Sequence, residues 1–179
     1  MSIPAGVHRL GPGSATLSVR TGRSGAAAKA GHDLVIRVNS WEASLKFGED
    51  SAQTTMELTA DATSLRVQEG RGGMKPLGDD DKANIHRSID DEVLKRQDIT
   101  FQSTQTEGAP GGGPISVKGD LTLRGRTQPV EFDLAFGDDG TLGATAIVKQ
   151  TAWGMKPYSA MFGALKVRDE VEVVLDGHL

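Results

Sequence analysis

The sequence predicts an all-β fold, an antiparallel barrel of about eight strands with one amphipathic helix at its open end. Three observations lead there. Apolar residues recur at every second position through most of the chain, the spacing of strands with one buried face. One segment abandons that period for a four-residue one. The connections between runs alternate short and long, as expected when strands run up and down and one end is built out into loops.

The first run sets Ala15, Leu17 and Val19 against Thr16, Ser18 and Arg20. The second holds Leu34, Ile36 and Val38, then continues through Trp41, Ala43, Leu45 and Phe47 with its apolar parity reversed. One extra residue reverses parity within a strand, so a bulge is predicted near Asn39 and Ser40. Met56, Leu58 and Ala60 make the third run. Later runs are Ile99 and Phe101; Ile115, Val117, Leu121 and Leu123; and Val130, Phe132, Leu134 and Phe136. Leu142, Ala144, Ala146 and Val148 precede the last, Val167, Val171, Val173 and Leu175. Between the third run and Ile99 stands DDDKANIHRSIDDEVLKRQ, with Ile85, Ile89 and Val93 at four-residue spacing. Asp79, Asp80 and Asp81 serve as N-terminal caps, and Lys95 and Arg96 complement the dipole at the other end. A helix of about four turns follows, its apolar stripe laid over the barrel mouth. A chain of 179 residues carries one such core, so residues 1–179 are read as a single domain.

In an up-and-down barrel, alternate connections share an end. The long ones, at 21–32, 69–98 and 154–166 with the shorter 125–128, fall together. They bring Arg23, Lys29, Arg71, Lys75, Lys82, Arg126, Lys156 and Lys166 to one end. The opposite turns carry Glu49, Asp50, Glu107, Asp138 and Asp139 and no base. The sequence GMKP occurs twice, at 73–76 and 154–157, and both copies land at the basic end. The second lies in AWGMKPYSAMFGALKV, which holds three of the eight aromatic residues (two Trp, one Tyr, five Phe). A loop over a barrel mouth is wet outside and apolar inside, so Trp153, Met155, Tyr158, Met161 and Phe162 are expected at the mouth. They fit either a plug of core or a gate that repacks around a ligand. Phe101, Leu121, Leu123, Val130, Phe132, Leu134 and Val173 are expected to line the barrel interior.

Several function classes find no support. A formal charge of −4 argues against nucleic acid as the main partner. No apolar run is long enough for a membrane span. Without cysteine there is no disulfide, thiolate nucleophile or zinc–thiolate site. MSIPAGVHRLGPGSATLSVR lacks a hydrophobic signal core, and together with the absence of cysteine this points to the cytoplasm. No GxSxG elbow occurs, and the Gly-rich GRSG and GRGG stretches precede no Walker lysine. His86 and Asp90, four apart, read as a solvated charged helix face rather than a metal pair. No catalytic set, metal or cofactor is implied. His32 in GHD fits a ligand contact, a base or a hydrogen-bonding strand cap.

Three stretches carry a resemblance: AKAGHDLVI after the first strand, RSIDDEVLKRQDITFQST across the helix and the next strand, and VKGDLTLRGRTQPVEFDL across the central hairpin. From about Ser14 to Leu175 the chain resembles the YceI-like family. The resemblance implies an eight-stranded, lipocalin-like antiparallel barrel whose cavity is real and holds a polyisoprenoid or other long amphiphile. Two departures stand out. Many members carry an export signal, and many place a short Arg-Asp-x-His-Leu sequence where this chain has GMKPLGDDDKANIH.

The expected function is non-catalytic binding or carriage of a long amphiphile, an isoprenoid lipid or quinone. An anionic headgroup would meet His32, Lys29, Lys75 and Lys156 at the basic mouth. A homodimer is compatible with this reading. The alternatives are an isomerase or hydrolase with His32 as base, or a ligand-free barrel that binds a protein.

Overall fold

The structure is a computed structural model in which residues 3–49, 53–109 and 111–179 are described. Alternation places the apolar side chains of most strands on one face, and burying that face curls the sheet. The strands are β1 (Gly6–Leu10), β2 (Ala15–Arg20), β3 (Arg23–Ser24), β4 (Asp33–Val38), β5 (Trp41–Phe47), β6 (Thr55–Ala60) and β7 (Leu65–Arg71). After the helix come β8 (Ile99–Glu107), β9 (Ile115–Leu123), β10 (Arg126–Phe136), β11 (Thr141–Lys149), β12 (Ser159–Ala160), β13 (Leu165–Val167) and β14 (Glu170–His178). Among the described residues, eleven strands form one sheet in the order β1-β5-β6-β8-β9-β10-β11-β14-β2-β4-β7, and β12-β13-β3 form a small second one.

The expected count of eight strands is therefore too low. The run at 34–47 divides at a corner, where β4 pairs with β2 and β7 but β5 pairs with β1 and β6, and β7 follows the run at 56–60 as a strand that was not expected. The parity reversal at Asn39 and Ser40 marks this corner and not a bulge. It is stitched by Asp61 N–H donating to Ser40 O at 3.0 Å and Ser40 N–H donating to Ser64 Oγ at 3.0 Å. Register shifts fall elsewhere, at Val35/Ile36 and at Ser103/Gln105. The corner also joins the two ends of the sheet, because β4 near one end and β5 near the other are consecutive in the chain. Strand β1 was not expected; only Leu10 of its five residues is buried, so the period-two signal is faint.

Helix α1 (Asp79–Ser88) continues into a π-helical turn, Ile89–Val93. The cap is Gly78, not an aspartate. Asp81 reaches back so that its carboxylate accepts the Gly78 N–H at 3.0 Å, while Asp79 and Asp80 favour the positive end of the dipole. The helix unwinds at Lys95 and Arg96, both left-handed at φ 53° and 56°. β7 ends the main sheet, and the helix covers its edge: His86 Nε2 accepts the Val67 N–H at 3.0 Å.

The two halves of the interior differ. Leu45, Ile115, Val117 and Leu134 are wholly buried near the acidic turns, with Phe47 packed edge-on to Phe136 at 5.8 Å. Toward the loops the packing gives way to a cavity. Of the acidic turn residues, Asp50 lies outside the described residues.

Candidate functional site

The cavity has a volume of about 640 Å³, within the range of small-molecule sites. Phe101, Leu121, Leu123, Val130, Phe132 and Val173 line it, as do Leu34 and Ile36 of β4 and the small side chains Ala60, Ala144 and Ala146. Leu134 does not: at 1 % exposure it belongs to the packed base below. The Phe101 and Phe132 rings meet at 5.4 Å in a tilted pair. Gly119 makes room for that pair, since a Cβ there would come within 2.5 Å of the Phe101 ring and of Gln102 O. Ile85, Ile89, Val93 and Leu94 roof the cavity from the helix, so the predicted apolar stripe faces inward.

Three connections form the mouth. Lys166 and Val167 of β13 pair with Ser24 and Arg23 of β3, fastening the last loop to the first. His32 Nε2 lies 2.6 Å from Lys75 O, fastening the start of β4 to the loop that precedes the helix. A carbonyl only accepts, so that nitrogen carries the hydrogen. His32 acts here as a strand-end tie with its ring in the cavity wall. Arg23 also lines the mouth; it donates to Gly31 O and stands 3.6 Å from the Asp33 carboxylate.

The expected mouth residues separate into three kinds. Met155 is buried and lines the cavity, and Tyr158 is half-exposed at the rim. Trp153 is buried outside the lining, its indole N–H donating to Leu121 O at 2.9 Å. That bond fixes it as a wall support instead of a gate. Met161 and Phe162 do not face the interior either. Both are left-handed, at φ 53° and 55°, and stand in solvent at 58 % and 113 % exposure. The tight turn ahead of β13 directs them away from the barrel.

The cations are also redistributed. Lys75 lines the mouth, whereas Lys29 and Lys156 are exposed and outside the lining. Lys166 and Arg23 take their place in the wall. Sequence order brought both to the basic end without marking them as headgroup contacts, and alternation with Leu165 and Val167 gave no sign that Lys166 borders the cavity. None of Lys29, Lys75, Lys156 and Lys166 has an ion-pair partner among the described residues.

The His86 and Asp90 pair is not the solvated face expected from its charge. His86 is partly buried and bonded to β7, and Asp90 is buried with Oδ1 lacking a hydrogen-bond partner and Oδ2 3.9 Å from Arg96. Burial, with the nearby Arg66 and Lys82, holds the His86 pKa below the usual histidine value, against the opposing pull of Asp90. No group of three metal-ligating side chains occurs among the described residues.

The arrangement can take up a long apolar chain and present cations to its polar end. Its likeness to known proteins follows the same lines. The crystal structure of Burkholderia cenocepacia BcnA is similar at a TM-score of 0.64 and 17 % identity, covering 90 % of this chain and 94 % of that one. A Campylobacter jejuni YCEI protein is similar at 0.53 and 17 %, covering 80 % of this chain and 82 % of that one. At these identities the likeness speaks for the fold. No curated protein matches. The sequence itself matches the model of the YceI-like domain over residues 15–179, from the start of β2 through β14, and the chain therefore belongs to the YceI-like family.

Proposed function

We propose that the protein binds and carries an isoprenoid-type amphiphile, with the apolar tail in the cavity and an anionic headgroup at Lys75 and Lys166, and without chemistry on the ligand. The observation that carries this is the aliphatic and aromatic cavity opening past Lys75 and Lys166, neither of which has an ion-pair partner among the described residues. Its membership of a polyisoprenoid-binding family points the same way. Size sets the ligand class. At about 30 Å³ for a small group in a liquid, the cavity holds roughly twenty carbons, or about four five-carbon units. Each unit resembles about four buried methylenes and contributes about 3 kcal/mol at about 0.8 kcal/mol per methylene. Four units match the cost of association and of ordering a flexible tail, about 4–15 kcal/mol.

The enzyme reading requires a base; His32 Nε2 is committed as a donor to Lys75 O, which leaves Nδ1 as the basic nitrogen, and experiment separates the two readings. Mass spectrometry of an organic extract of natively purified protein tests the reading, with stoichiometric prenyl lipid as the expected result. Titration then compares a prenyl phosphate with its prenol. The phosphate is expected to bind more tightly, by a margin that shrinks with salt. Equal affinities at low salt would remove the headgroup site, and saturable turnover lost in His32→Ala would replace carriage by catalysis.

A further inference from the structure

The mouth carries apolar surface that the cavity does not use. Phe162 is fully exposed and Met161 more than half exposed, at the tip of the turn between β12 and β13. Met74, on the loop that precedes the helix, is 82 % exposed. Soluble proteins expose single apolar side chains often, but Met161 and Phe162 are adjacent and strained. Met161 and Phe162 occupy consecutive left-handed conformations, at φ 53° and 55°, that favour glycine over either residue. No contact of the Phe162 ring inside the molecule compensates. A conformation held against backbone preference, presenting an aromatic ring to solvent, points to a use outside the molecule.

Charge indicates the partner. Lys156 and Lys166 flank the tip in the same connection, and Lys29 and Lys75 occupy the two adjoining loops; none is neutralised by an ion pair among the described residues. At the far end of the sheet, Glu49, Glu107 and Asp139 are exposed. The connections 21–32 and 154–167 thus set lysines and no acid beside the apolar tip, although the helix at the same end begins with Asp79, Asp80 and Asp81, so an anionic plane meets the molecule at the tip and not at the acidic far turns. We propose that the Met161–Phe162 tip docks on an anionic lipid bilayer, the tip entering the interfacial layer and the lysines meeting the headgroups. The proposal rests on the carrier reading for its purpose, because a mouth seated on a bilayer passes an apolar chain without exposing it to water.

The test is sedimentation of the whole protein with vesicles of phosphatidylcholine, with and without phosphatidylglycerol, alongside prenol binding in vesicle-free buffer. Binding to the anionic vesicles is expected to exceed binding to the neutral ones and to weaken as salt rises. Phe162→Ser is expected to lower it by about tenfold or more, the loss of one buried aromatic side chain. Lys156→Glu combined with Lys166→Glu is expected to remove the preference for anionic vesicles. Phe162 lies outside the cavity wall, so Phe162→Ser is expected to keep prenol affinity and its circular dichroism spectrum. Wild-type protein that ignores anionic vesicles while binding prenol overturns the docking proposal and leaves the carrier reading standing, with the tip then fitting a protein partner. Docking that persists unchanged in Phe162→Ser also overturns it. Vesicle binding with the expected variant losses but no prenol affinity supports docking and removes the carrier reading instead.

Discussion

Leu134 and Phe132 stand two residues apart on β10 with the same side facing inward, and they give a sharp comparison. Leu134 is 1 % exposed in the packed base, whereas the Phe132 ring borders the cavity. Leu134→Ala removes a fully surrounded side chain that the neighbours cannot replace, at a cost of about 3–4 kcal/mol. For a domain of this size that corresponds to a fall in Tm of roughly 6–16 °C. A fully packed phenylalanine costs about 3–5 kcal/mol on truncation, but Phe132 has neighbours on only part of its surface. About half that cost, with part of the aromatic pairing to Phe101, gives roughly 2–3 kcal/mol for Phe132→Ala. The two substitutions differ more in ligand than in stability. Losing the Phe132 ring frees the room of its ring carbons, about one further five-carbon unit, so the preferred chain lengthens. Leu134→Ala leaves the preferred length as it is. Urea unfolding and competition binding of prenols of increasing length measure both quantities. A shift of length preference in Leu134→Ala but not in Phe132→Ala would refute the placement of the cavity. Equal stability losses with no change of preference in either would show that the ligand is not held against β10.

Ala146→Leu places three further carbons into the cavity wall and is expected to shorten the longest bound prenol by about one unit, with stability changed by less than about 1 kcal/mol; competition binding decides it. Protonation of His86 removes the acceptor for the Val67 N–H. Because its folded pKa lies below the unfolded value, its stabilising effect is full above about pH 6.5 and is lost as the pH falls through the folded value. Unfolding measured from pH 7.5 down to 5 (about this range) is expected to show stability decreasing with acid, and His86→Gln is expected to flatten that slope. Phe162→Gly relieves a left-handed φ of 55° and is expected to raise stability by about 0.5–1 kcal/mol, seen as a higher Tm, while abolishing vesicle docking.

The sequence by itself determined that the chain is all-β, which side of most strands faces inward, and where the one helix runs with Ile85, Ile89 and Val93 on its buried stripe. These follow from period and order along the chain, and a period of two or four is visible without knowing any distant neighbour. Order along the chain also brought the long basic loops to one end. Tertiary structure decided the rest, because each point depends on residues far apart in sequence. Whether Asn39 and Ser40 make a bulge or a corner depends on which strands β4 and β5 pair with, and that choice raises the strand count. Whether an inward residue packs or lines a cavity depends on the far wall: Leu134 meets a filled base, Phe132 an opening. Trp153 became a wall support because Leu121, 32 residues away, offers its carbonyl. His86 and Asp90 read as solvent-facing until β7 and the corner at Asp61 came to lie beneath them. Met161 and Phe162 looked like cavity lining by hydrophobicity alone, and only the left-handed turn that carries them decided that they point outward.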